Sequence, residues 1–137
     1  MVVSSVAPWD RVFMGSRVLI VEDEFFIALD IGQQLADAGF EVIGPAPSVA
    51  KALSLVSEKG CDVAVLDVNL GGETSEPVAR KLQESDKPFV VLSGYSTDNQ
   101  LPWFGGAPVL SKPLRMTDLV AALRGCIDAA PGEARRM

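Results

Sequence analysis

The sequence predicts an α/β fold, a doubly wound five-stranded parallel sheet with a short or irregular fourth helix. Three observations predict it. Short apolar runs recur that are too continuous for half-exposed strands, so both of their faces must be covered, as in a parallel sheet. Segments with apolar residues at helical spacing alternate with them, the order of a doubly wound sandwich. The connection between the fourth and fifth runs is too short, and too rich in helix breakers, for a full helix.

The strands come in order as "RVLIV" (17–21), "FEVIG" (40–44), "CDVAVLD" (61–67), "PFVVL" (88–92) and a weaker "APVL" (107–110). The first helix is expected over 24–38, with Ile27, Ile31, Leu35 and Ala38 on one face and Gly39 as its stop. Ser48 caps a second through Lys59, with Val49, Ala52, Leu53 and Val56 inward and Gly60 beyond. A third covers 73–85, where Pro77 is tolerable in the first turn. The last carries Met116, Leu119, Val120, Leu123 and Ile127 at the 3.6-residue repeat. Between the fourth and fifth strands lies only "YSTDNQLPWFGG", with Pro102 inside and Gly105-Gly106 at its end. One or two helical turns are expected there, with weak amide protection over 95–106. Residues 1–16 and 129–137 read as poorly ordered extensions around a single domain, 17–128.

Composition narrows the function. The chain has 137 residues, 48% of them hydrophobic, a formal net charge of −6 and no histidine. No basic stripe is available to neutralise phosphates, which argues against nucleic acid. No apolar run reaches membrane-spanning length, and "MVVSSVAPWDRVFMGS" lacks the basic start and long apolar core of a signal peptide. Cys61 and Cys126 are too few for a disulfide scaffold or metal cluster, and read as reduced thiols of a cytoplasmic protein.

Ligands of open parallel sheets bind at the carboxyl ends of the strands. Those ends read Glu22-Asp23 after the first strand, Asp67 after the third, Ser93 after the fourth and Lys112-Pro113 after the fifth. Three acids against one lysine leave a negative site, and two like charges ~4 Å apart repel by roughly 4 kcal/mol at an effective dielectric near 20. Such clusters persist around a cation, and oxygen-only ligands point to Mg²⁺. Asp67 is then the candidate nucleophile, able to form an acyl phosphate. The ion, Lys112 and the Ser93 hydroxyl would hold the phosphoryl oxygens.

"LIVEDE", "VAVLDVNL", "VVLSGY" and "LSKPL" together resemble the receiver domain of two-component response regulators over residues 17–128. The resemblance implies a sheet order of 2-1-3-4-5. It also implies Asp67 as phosphoacceptor, Glu22 and Asp23 as metal-binding acids, Ser93 as switch hydroxyl and Lys112 as phosphate-contacting lysine. Asn69 matches the position whose backbone carbonyl completes the Mg²⁺ shell, and the Lys112-Pro113 bond is implied to be cis. The chain would be a cytoplasmic, bacterial, stand-alone signalling module that catalyses transfer only to its own Asp67. A sensor histidine kinase or His phosphotransfer protein would supply the phosphoryl group, and an unidentified protein partner would read the result. "PFVVLSGYS" resembles the FAT GUY receiver subfamily, which is often paired with HWE-type kinases.

Two departures stand out. Val109 occupies the place of the switch aromatic three residues before Lys112, and the fourth helix is truncated. Both leave a degenerate receiver, an interaction module independent of phosphorylation, as the alternative. A flavodoxin-type binder would need small donors after the first strand, where "EDEFF" stands. An aspartyl phosphatase would need a second acid where Asn69 stands. Tyr95 is a candidate gate to Asp67. Trp103 and Phe104 are either packing over the short connection or substitutes for the switch aromatic. Of Phe25 and Phe26, one is expected in the core and the other on a partner-binding face.

Overall fold

A computed structural model describes residues 15–94 and 102–129. Five strands, β1 (Arg17–Val21), β2 (Glu41–Ala46), β3 (Val63–Asp67), β4 (Phe89–Ser93) and β5 (Val109–Ser111), alternate with α1 (Phe25–Asp37), α2 (Val49–Glu58), α3 (Glu76–Glu84) and α4 (Met116–Ala129). The strands form one parallel sheet in the order β2-β1-β3-β4-β5. This is the predicted doubly wound sheet, and the reversal of strand order falls between β1 and β3.

The apolar runs are continuous because successive side chains feed two separate cores. In β1, Leu19 and Val21 face one cluster, with Ala52 and Leu55 of α2 and Val78, Ala79 and Leu82 of α3. Val18 and Ile20 face the other, with Ile31 and Leu35 of α1 and Leu119 and Leu123 of α4. β3 and β4 do the same, and every residue of both is buried. Among the described residues no helix is long and apolar enough to cross a membrane.

The structure departs from expectation in four places. In α1, Ile27 is 40% exposed and Ala28 faces the core in its stead, while Ile31 and Leu35 are buried as expected. In α2, Leu55 joins Ala52 as a buried residue, and Val49, Leu53 and Val56 pack partly buried at the margin of that core.

β2 runs past Gly44 to Ala46 through a cis Gly44-Pro45 bond, with a register shift opposite Leu19 and Val21. An edge strand tolerates proline because its outer N–H has no ladder partner. Gly44 sits at φ 95°, and a Cβ there would lie 2.9 Å from the Ala46 nitrogen and 3.2 Å from the Ile20 carbonyl oxygen. Gly44→Ala is therefore expected to destabilise the fold by about 1–3 kcal/mol, read from chemical denaturation.

α3 starts at Glu76 rather than at residue 73, because residues 69–74 close a short hairpin through an Asn69–Thr74 bridge. Pro77 falls in the first turn, as expected. The truncated fourth helix is a single 3-10 turn, Pro102–Phe104, among the described residues. Trp103 and Phe104 are buried there edge to face, centroids 4.6 Å apart, and belong to the same core cluster as α2 and α3. They pack over the short connection, with half-buried Val109 against the same cluster. Tyr95 and the rest of 95–101 lie outside the described residues, as do residues 1–14 and 130–137.

Candidate functional site

The sheet register brings the predicted residues together. Val21 of β1 pairs with Leu66 of β3, so Glu22 comes next to Asp67. The Glu22 N–H extends the ladder to the Ala46 carbonyl at 3.0 Å, which turns its side chain inward; Glu22 is 2% exposed and Asp67 6%. Asp23, one residue further, is exposed at the mouth. Ser93 ends β4 buried, and its carbonyl accepts the Lys112 N–H at 3.0 Å.

Lys112 then reaches back across the sheet. Its Nζ lies 2.9 Å from Asp67 Oδ2 and 3.6 Å from Glu22 Oε1. The Lys112-Pro113 bond is cis, as the resemblance implied. Asp23, Glu24, Asp67, Asn69, Gly71, Gly94 and Lys112 line a pocket of about 350 Å³ over these groups. Asn69 is exposed in its lining, and its backbone is held by the bridge to Thr74.

One carboxylate donor of Glu22, Asp23 and Asp67 each can be chosen so that all lie within 4.8 Å of one another. Glu22 Oε2 accepts the Glu24 N–H at 3.1 Å, whereas Glu22 Oε1 is buried with no hydrogen-bond partner. A buried acceptor without a hydrogen bond, offset only by the Lys112 charge at 3.6 Å, stands beside two further carboxylates, and such an all-oxygen donor set fits a hard divalent cation such as Mg²⁺.

The electrostatics agree. Burial pushes the Glu22 carboxyl up to about 7; the Glu24 N–H opposes this, Asp67 adds to it and Lys112 opposes it. Burial opposes the charge on Lys112, but its hydrogen bond to Asp67 and the charges of Asp67 and Glu22 outweigh that and raise its pKa. A carboxyl whose folded pKa lies above its unfolded value contributes stability below the unfolded pKa and loses it as pH rises through the folded one. In EDTA, the melting temperature should therefore fall as pH rises from about 4.5 to about 7. Glu22→Gln, which holds the protonated shape, should flatten that slope; an equal slope in both proteins would remove Glu22 as its cause.

Two features escaped the sequence. Phe25 and Phe26 are both exposed, 64% and 80%, which corrects the expectation that one is core. They stack edge to face, centroids 5.3 Å apart, in the first turn of α1 beside the acids. At Gly71, a Cβ would lie 3.1 Å from Asp23 Oδ2. Nothing in the local sequence signals that approach.

Comparison with known proteins agrees with this geometry. The model of the response regulator receiver domain family matches residues 18–124. The transcriptional regulatory protein PdtaR of Mycobacterium tuberculosis is 29% identical over 111 residues, 78% of this chain and 54% of its own length. YvrH, a transcriptional regulatory protein of Bacillus subtilis, is 32% identical over 114 residues, 80% of this chain and 48% of its own. The chain thus spans about half the length of the curated relatives it matches. Among solved structures, SdrG from Sphingomonas melonis Fr1 is 42% identical with a TM-score of 0.70, over 82% of this chain and 95% of that one. A response regulator receiver protein from Sinorhizobium medicae is 28% identical with a TM-score of 0.72, over 84% and 96%. With its sheet order, its rim of acids and its lysine in place, the chain belongs to the response regulator receiver domain family.

Proposed function

We propose that this receiver accepts a phosphoryl group on Asp67 in a Mg²⁺-dependent reaction, and signals through a changed protein-binding surface or acts as a phosphate sink. The observation that carries this reading is the placement of Asp67 against Lys112 at 2.9 Å, beside two further carboxylates and under an open pocket. Glu22, Asp23, Asp67 and the Asn69 carbonyl would hold the cation, whose charge offsets that of the acids and of an arriving phosphoryl group.

The chain's own groups carry the chemistry. An Asp67 carboxylate oxygen attacks phosphorus and forms the new P–O bond. The bond to the donor breaks and its electron pair leaves with the donor: acetate from acetyl phosphate, or a histidine nitrogen of a partner protein. Lys112 holds one phosphoryl oxygen by its ammonium and the Ser93 hydroxyl another. Transfer goes only to the chain's own aspartate, so the module does not turn over an external substrate.

A sensor histidine kinase, of HWE type if the chain is a FAT GUY receiver, or a His phosphotransfer protein would be the donor. The exposed Phe25 and Phe26 beside the pocket support docking of a protein there. Net charge −6 supports a protein partner over nucleic acid, while bacterial relatives and two free cysteines support the cytoplasm of a bacterium.

Intact mass after incubation with acetyl phosphate and Mg²⁺ tests the reading. One hydroxylamine-sensitive phosphoryl adduct, absent with EDTA, is expected. No adduct would favour the phosphorylation-independent interaction module, the reading that Val109 and the single 3-10 turn would then explain.

A further inference from the structure

We propose that Glu73 is a positioning residue, latching the hairpin that carries Asn69 onto the N-terminus of α2 and so fixing one wall of the acidic site. The inference rests on the proposed reading of that site. In the hairpin the Leu70 N–H bonds the Glu73 carbonyl at 2.8 Å and the Ser75 N–H bonds the Val68 carbonyl at 3.0 Å. Gly71 and Gly72, at φ 57° and 100°, make its turn.

The hairpin has two sides. On one, Asn69 and Gly71 line the pocket and Gly71 abuts Asp23. On the other, Glu73 Oε2 accepts the Val49 N–H at 3.2 Å. Val49 opens α2, so its N–H has no partner within the helix, and the positive end of the helix favours a carboxylate there. The Ser48 hydroxyl takes the Lys51 N–H at 3.2 Å, so Ser48 and Glu73 divide the cap between them. α2 is itself fixed by buried Ala52 and Leu55. A turn built on two glycines has wide conformational freedom, and a single bond to a rigid helix removes much of it. The latch thereby fixes the hairpin that places Asn69 in the pocket lining, without itself touching the carboxylates.

Calorimetric Mg²⁺ titration and amide exchange of Val49 test this on the full chain. Glu73→Ala should weaken Mg²⁺ binding about three- to tenfold and unprotect the Val49 amide, with melting in EDTA little changed. Glu73→Gln keeps an acceptor oxygen and should recover most of the affinity. Val49→Pro removes the donor from the opposite side at a first-turn position where proline is tolerated, after Ser48 already extended at φ −145° and ψ 163°. It should weaken Mg²⁺ similarly, and the double variant should lose no more than either single one. Wild-type affinity in Glu73→Ala, or additive losses in the double variant, would overturn the latch. Asp23→Asn separates the two readings: its loss of binding beside an unaffected Glu73→Ala retains the metal site and removes the latch. A wild-type protein that binds no Mg²⁺ removes both.

Discussion

Asp67→Ala is expected to take up no phosphoryl group from acetyl phosphate and Mg²⁺ under conditions that label the wild-type chain fully. The loss should be complete because the other two acids are badly placed to replace it. Glu22 has one carboxylate oxygen occupied by the Glu24 N–H and is almost wholly buried. Asp23 is exposed, and among the described residues no ammonium lies beside it comparable to Lys112 at 2.9 Å from Asp67. Asp67 combines a lysine contact, burial and an opening toward the pocket. Since alanine removes a charge from a repelling cluster, the variant should fold, with a melting temperature in EDTA at or above that of wild type. Residual adduct of the same hydroxylamine sensitivity would place the nucleophile elsewhere.

Lys112→Met should have the second largest effect, and on two readouts. Methionine keeps much of the apolar stem and removes the ammonium. The phosphorylation rate should fall by about 10²- to 10³-fold, the cost of one charged donor aimed at the transferred group. In EDTA at pH 8 the variant should also be less stable by about 1–3 kcal/mol, because Asp67 and Glu22 lose their shared counter-ion. That figure lies below the cost of breaking a fully buried pair because the Lys112 side chain is 31% exposed. Mg²⁺ should raise the melting temperature of Lys112→Met more than that of wild type, since one cation then stands in for another. An unchanged stability in EDTA would mean that the lysine is solvated rather than paired.

How much of this was legible in the sequence follows from what is local and what is not. The strands were legible because burial on both faces leaves an uninterrupted signature such as "VVL", and the rule that ligands gather at carboxyl ends turned strand ends into a site. The Lys112–Asp67 pair, 45 residues apart in the chain, emerged that way. The rest needed tertiary geometry. Residues 73–75 read as helix because nothing local announces the Asn69–Thr74 bridge that ends the hairpin there. Gly44-Pro45 read as the end of a strand, whereas the edge position of β2 lets it continue. Ile27 and one of Phe25 and Phe26 read as core by type, yet all three are exposed, because which turn of a helix meets the core is set by tertiary packing. The approach of Gly71 to Asp23 and of Glu73 to Val49 joins segments 48 and 24 residues apart, and no periodicity records it.

The most direct test of Asp67 as phosphoacceptor is reductive trapping. The chain is treated with acetyl phosphate and Mg²⁺, reduced with borohydride, digested and sequenced by mass spectrometry. An acyl phosphate leaves homoserine where the aspartate stood. Homoserine at position 67 alone, absent when EDTA replaces Mg²⁺, is the predicted result. Reduction at position 23, or phosphate retained on Ser93, would contradict it.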